Sequence, residues 1–144
     1  MSEPRIFTDV QVMFFDTDSG GVVHNVAWLR MIEVARTHLA EALGMSLKQM
    51  AATHAYPVVV RTEIDYKRPA RLGDKLVIAA RLDSFSSARF WCAFDVRRES
   101  DESLMVQCRQ MLALIQMPAG KPLRLPESWS KDFPELYVSK YERV

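Results

Sequence analysis

The sequence predicts an α+β fold, one five-stranded antiparallel sheet wrapped around a long central helix. Two observations carry that expectation. Val26 to Leu43 is the only long stretch with apolar residues at helical spacing. After it come four strand-like segments in succession, and one more precedes it. A helix this apolar needs a wide surface to cover it, and a curled sheet is the economical cover.

Each element has its own signature. Asp9 to Phe15 reads as the first strand, with Val10, Val12 and Phe14 on one face. In the helix, Trp28, Ile32, Ala35, Leu39, Ala42 and Leu43 form the apolar stripe. Leu29 and Met31 widen it, and Arg30, Glu33, Thr37 and Glu41 lie off it. Asn25 is the expected N-cap and Gly44 the expected stop. Ser46 caps a short second helix reaching Thr53. In "VVRTEIDYKR", Val60, Thr62, Ile64 and Tyr66 alternate with charged residues. "RPARLGD" turns the chain into "KLVIAARLDSF". "ARFWCAFDVRR" puts Phe90, Cys92, Phe94 and Val96 on one side, and "LMVQCRQMLALIQM" closes the sheet. A hairpin centred near Ser100 sets Cys92 and Cys108 roughly opposite one another. That geometry would permit a disulfide, but two cysteines without CxxC spacing fit free thiols in a reducing cytoplasm better. From Pro118 a proline-rich tail holds one short helix. We expect a single domain over 1–144, its core at about 7–117 and its tail at 118–144.

Bulk properties remove several classes of function. The 144 residues suffice for one real core, with 49% hydrophobic and 26% charged residues. A net charge of +1 argues for neither nucleic acid nor an anionic membrane as partner. "MSEPRIFTDVQV" lacks the pattern of a secretory signal, and no apolar run approaches the roughly 20 residues of a membrane span.

The chemistry concentrates in "FFDTDSGGVVHN", Phe14 to Asn25. Read as a calcium loop, Asp16 and Asp18 open correctly, but Gly20 occupies a ligand position and Ala27 stands where a bidentate glutamate is required. Read as a phosphate loop, it lacks both glycine-rich patterns and carries two repelling carboxylates. Two readings stay open on the residues alone. One is a plain turn made of turn formers. The other sets a carboxylate beside the first N–H groups of a long helix, which favour charge developing on a carbonyl oxygen.

The stretch "FFDTDSGGVVHNVAWLRMIEVART" resembles the signature of the 4-hydroxybenzoyl-CoA thioesterase family of hotdog-fold proteins. The resemblance rests on Asp16, Asp18, Gly21, Val23, Leu29, Arg30, Glu33, Ala35 and Arg36, with Trp28 in place of the usual tyrosine. It continues in "DYKRPARLGDKLVI" and covers about residues 7 to 117. Among the branches, the Tol-Pal-associated acyl-CoA thioesterases look most similar, through "DTDSGGVV" and "EVART".

The resemblance implies hydrolysis of an acyl-CoA substrate without a metal or redox cofactor. Asp18 falls on the catalytic carboxylate, as nucleophile or as general base. The backbone N–H at Asn25 would polarise the thioester oxygen, and Gly21 would permit close approach. Asp16 is expected to build the turn by bonding backbone amides. The auxiliary histidine of related proteins falls on Asn25, whereas this chain has His24 one residue early, about 100° away around a helix. Asn25 is therefore a candidate through its amide, and His24 a structural or pocket-lining residue. Trp28, Tyr66 and Phe15 are read first as core and second as acyl contacts. Lys67, Arg68 and Arg71 form a basic turn; Arg68 and Arg89, the latter in "SSARF", are candidates for the phosphates of coenzyme A. The family's site lies between two subunits, so a homodimer or homotetramer is implied. The rival readings are an acyl-carrier-protein thioesterase and a non-catalytic acyl-CoA-binding module. A dehydratase would need a histidine and acid pair not evident here.

Overall fold

The computed structural model describes residues 4–139. Its strands are β1 (Arg5–Gln11), β2 (Ala55–Tyr66), β3 (Lys75–Phe85), β4 (Arg89–Arg98), β5 (Leu104–Gln116) and the two-residue β6 (Lys121–Pro122). Its helices are α1 (Asn25–Ala42), α2 (Leu47–Thr53) and α3 (Ser128–Asp132). The sheet is antiparallel with strand order β1-β3-β4-β5-β2, and β6 pairs with the end of β5. This is the expected five-stranded sheet around a long helix, lengthened by one short strand.

The core lies between α1 and the concave face of the sheet. Trp28, Met31, Ile32, Ala35 and Leu39 are buried on the helix, facing buried Leu76, Ile78, Ala80 and Leu82 of β3 and Phe90, Cys92, Phe94 and Val96 of β4. The stripe reaches Leu43 as its spacing suggests, but Ala42 departs from it and is exposed. Gly44, at φ +89°, stops the helix. Its N–H bonds the Glu41 carbonyl and the Met45 N–H bonds the Ala40 carbonyl, the paired bonds of a left-handed helix end. Ser46 caps α2, and Gln49 bonds back to it.

Three expectations need correction. The first strand ends at Gln11, and Phe14–Asp16 form a 3-10 turn that leaves Phe14 82% exposed instead of on the core face. A bulge between Val59 and Arg61 leaves Val60 without a ladder partner, so it interrupts the alternation expected to run through Val60, Thr62, Ile64 and Tyr66. The β4–β5 hairpin turns about Ser100 and Asp101, near the expected centre, but a bulge between Val96 and Arg97 shifts the register so that Val96 pairs with Val106. Cys92 then pairs with Gln110 and Cys108 with Phe94, a diagonal offset of two residues. Both thiols are free. Burial pushes each from an ordinary value near 9 up to about 12, against the opposing charge of Arg36.

The proline-rich tail closes one end of the core. Trp129 is buried, donates Nε1–H to the Leu43 carbonyl at 3.2 Å and meets Phe85 and Phe90 edge-on at 5.6 and 5.3 Å. It therefore covers the C-terminal end of α1, with Leu125 and Phe133 beside it. Trp129→Ala is expected to lower the free energy of unfolding by about 3–5 kcal/mol, as large core truncations do. Urea unfolding checks this; a loss below about 1 kcal/mol, the size of a surface substitution, would contradict the tail's place in the core.

Candidate active site

Phe14 to Asn25 folds as a small hairpin sewn to its surroundings, not as a simple strand-to-helix turn. Thr17 pairs with Val23 across it. The Asp18 N–H bonds the Val22 carbonyl at 2.9 Å, and the Gly21 N–H bonds the Asp18 carbonyl at 3.0 Å. A three-residue loop of this kind needs its last residue in the left-handed region, and Gly21 has φ +76°. A Cβ built on Gly21 meets nothing in the chain within 4 Å, so the backbone angle is what calls for glycine here. The hairpin leans on the segment after β2, through Val23 N–H to the Ala70 carbonyl and a bridge from Val22 to Arg71.

Asp18 sits at the tip, exposed. Its Oδ1 accepts from the Gly20 N–H at 2.8 Å and more loosely from the Val22 N–H at 3.4 Å. Asp16 is fully buried beneath it and accepts from the Met13 N–H and the Arg30 guanidinium. The two aspartates thus differ in kind: one is consumed by the fold, the other faces outward.

The helix cap also departs from expectation. His24, not Asn25, is the N-cap, because the turn of the hairpin leaves residue 24 extended (ψ 159°) and Asn25 already helical. His24 Nδ1 accepts from the Ala27 N–H at 3.1 Å, so the ring hydrogen resides on Nε2. Asn25 is exposed, and its Oδ1 accepts from the Val26 N–H. Among the described residues, no hydrogen bond occupies the Asn25 N–H. An 18-residue helix therefore presents a free donor at its positive end.

Two cavities flank this helix start. One, of about 310 Å³, is lined by Val23, Asn25, Trp28, Tyr66, Lys67, Arg68 and Pro69. It brings together four of the expected site residues: Asn25, Trp28, Tyr66 and Arg68. Lys67 and Arg68 form no ion pair among the described residues, so the rim is cationic. The other cavity, of about 390 Å³, is lined by Phe15, Asp16, His24, Val26, Ala27 and Arg30. Of the three aromatics expected in the core, only Trp28 is buried. Phe15 and Tyr66 are 72% and 52% exposed, because the hairpin carries one outward and the other ends an edge strand that α1 does not cover.

Arg89 stands apart from both cavities. It begins β4 beside the end of β3, whereas the hairpin abuts the start of β3 through Val12 N–H to the Asp74 carbonyl. The eleven residues of β3 separate them by roughly 35 Å at strand rise. Arg89 Nη1 rests against Met111 Sδ at 3.9 Å. Among the described residues, no three His, Cys, Asp or Glu side chains gather as a metal site would require.

The Asp16–Arg30 pair was the part of the site hardest to anticipate. The two residues lie fourteen apart in sequence, and neither spacing nor composition joins a loop acid to the second turn of a helix.

Comparison with known proteins agrees with this fold. Residues 12–133 match the sequence profile of the thioesterase-like superfamily. The chain is 30% identical over 125 residues to the acyl-CoA thioester hydrolase YbgC of Escherichia coli O6:H1, covering 86% of this chain and 92% of that protein. It is 27% identical over 120 residues to a 1,4-dihydroxy-2-naphthoyl-CoA hydrolase of Synechocystis, covering 83% and 87%. The solved structure of Slr0204, a 1,4-dihydroxy-2-naphthoyl-CoA thioesterase from Synechocystis, superposes with a TM-score of 0.79 at 25% identity, over 92% of this chain and 97% of that one.

The cap at the helix start can be tested through stability. His24→Ala removes the acceptor for Ala27 and should cost about 1 kcal/mol, whereas His24→Asn supplies a favoured cap and should cost nearly nothing. Chemical denaturation of the two variants distinguishes them. Equal losses would contradict the capping role.

Proposed function

The chain belongs to the thioesterase-like superfamily, and from that premise we propose that it hydrolyses an acyl-CoA thioester to the free carboxylic acid and coenzyme A. We read it as a single-domain, cytoplasmic enzyme of the 4-hydroxybenzoyl-CoA thioesterase type, nearest the Tol-Pal-associated branch. The observation that carries the reading is the free Asn25 N–H at the positive end of α1, beside the hairpin that holds Asp18 outward.

The chemistry follows from those two groups. The thioester oxygen accepts from the Asn25 N–H, which becomes a better partner as negative charge develops on it. With Asp18 as general base, its carboxylate takes a proton from water while the water oxygen bonds to the carbonyl carbon. The tetrahedral intermediate then expels the coenzyme A thiolate, which recovers the proton. With Asp18 as nucleophile, its oxygen attacks instead, the thiolate leaves, and water cleaves the resulting anhydride. The Asn25 amide and His24 Nε2–H are available to orient water or the acyl group. Trp28 and Tyr66 supply apolar wall, and Lys67 and Arg68 draw the phosphates of coenzyme A toward the cavity.

The arrangement favours a homodimer. β2 is an edge strand of twelve residues with Val58, Val59 and Val60 exposed, the kind of edge that requires a partner. Two copies joined along β2 would make one continuous sheet and would carry Arg89 of one copy toward the hairpin of the other. A homotetramer formed from two such dimers is compatible with this arrangement.

The test is a panel of acyl-CoA esters assayed for thiol release, with matched acyl-carrier-protein esters alongside. We expect turnover on at least one coenzyme A ester and a loss of about 100-fold or more in kcat for Asp18→Asn, the scale of a removed acid–base group. Undiminished turnover by Asp18→Asn would refute its role. Hydrolysis confined to carrier-protein esters would move the substrate class, and binding without hydrolysis would favour an acyl-CoA-binding module.

A further inference from the structure

Two residues before Asp18 stands the only acid among the described residues that is buried, Asp16 at 0% exposure. All of its polar atoms are engaged. Oδ1 accepts from Arg30 Nη2 at 2.6 Å and Oδ2 from the Met13 N–H at 2.9 Å. Its own N–H bonds the Met13 carbonyl at 3.0 Å, and its carbonyl accepts from the His24 N–H at 3.0 Å.

These four bonds join the three pieces that must meet at the site. Met13 belongs to the turn that enters the hairpin, His24 leaves the hairpin and caps α1, and Arg30 lies one and a half turns into α1. Asp18 is separated from Asp16 by Thr17 alone, and the free N–H of Asn25 follows His24 directly. Both partners of the proposed chemistry are thus one or two residues from bonds made by Asp16. Arg30 adds a second hold: its guanidinium lies over the Phe15 ring at 5.3 Å, bracing the other side of the same turn.

A fold needs a turn here, but it does not need an ion pair with a buried carboxylate to make one. The hairpin is already closed by the Thr17–Val23 pairing, the Gly21 turn and the contact with Ala70. What the pair adds is a fixed distance between the hairpin and the helix axis, through a short, charge-assisted bond that water does not reach at the Asp16 end. We propose that Asp16 and Arg30 are a positioning pair that holds the Asp18 carboxylate in register with the Asn25 N–H, so that they govern the chemical step and not substrate affinity. The proposal rests on the reading of Asp18 as the catalytic carboxylate.

The experiment compares Asp16→Asn, Arg30→Met, Arg30→Lys and Asp18→Asn in the full chain, using the acyl-CoA ester that the wild type hydrolyses fastest. Steady-state kinetics are measured with calorimetric binding of coenzyme A and thermal melting. Asp16→Asn and Arg30→Met should each lower kcat by about 30- to 100-fold, as a displacement near 1 Å would, while KM and coenzyme A affinity stay within about twofold. Arg30→Lys keeps the charge and should recover a large part of kcat. Arg30 has a half-exposed side chain, so Arg30→Met keeps the test intact where Asp16→Asn fails to fold. Wild-type kcat in Arg30→Met, with Asp18→Asn inactive, would overturn the positioning role alone. So would a loss carried by KM, or the absence of any rescue by lysine. Full turnover by Asp18→Asn would overturn the underlying reading and the proposal with it.

Discussion

An 18-residue helix with an apolar stripe along its whole length has to be covered, and the rest of the molecule follows from that requirement. One flat layer of strands would leave its flanks in water, so the sheet curls, and the long strands β3, β4 and β5 give it the width to do so. The helix runs closest to β1 and β3. Its N-terminal end meets the hairpin and the segment after β2, and its C-terminal end is closed by Trp129 from the tail. The β2 side of the concave face is left less covered, with Thr62 and Tyr66 exposed on an open edge.

That unequal coverage places the candidate site. The buried end of α1 is sealed by a Schellman-type stop and an indole, so its carbonyls have partners. The other end is only partly capped: His24 satisfies Ala27, and Asn25 keeps a free N–H between two cavities. A donor left free on a helix otherwise so well satisfied is a site for a developing negative charge. The hairpin beside it offers an exposed carboxylate, and the segment after β2 offers two cations. Because β2 is both the wall of the cavity and the open edge of the sheet, assembly through β2 would shape the cavity as well as bury the edge.

The sequence was most legible where local periodicity and tertiary burial agree. β3 alternates strictly from Lys75 to Leu82, its inner face is the centre of the core, and Lys75–Phe85 is the segment the pattern marks out. The helix was equally plain because its stripe is long and its stop is a glycine. Legibility failed where a bond to a distant residue overrode the local pattern. Phe14 continues the alternation of Val10 and Val12, but the chain leaves the sheet once Val12 has bonded Gly73 and Asp74, and the 3-10 turn that follows throws Phe14 outward. Asn25 is a better cap by type than His24, yet the hairpin fixes which residue is still extended when the helix begins. The β4–β5 partners differ from expectation because a bulge between Val96 and Arg97 puts an extra residue into β5 just beyond the turn, and no residue in the pattern announces it. At the site, the residue types of the cavity were foreseeable from the signature, but the separation of Arg89 was not, since strand length and order decide it.

The proposed chemistry requires one geometry above the others, the thioester oxygen on the Asn25 N–H with the side chain of residue 18 beside the carbonyl carbon. A crystal structure of the Asp18→Asn variant with an intact acyl-CoA ester tests it directly. The account predicts the thioester oxygen roughly 3 Å from the Asn25 nitrogen, with the residue 18 side chain in contact with the carbonyl carbon or with one water bound to it. A thioester lodged elsewhere, with the Asn25 N–H still free, would contradict it.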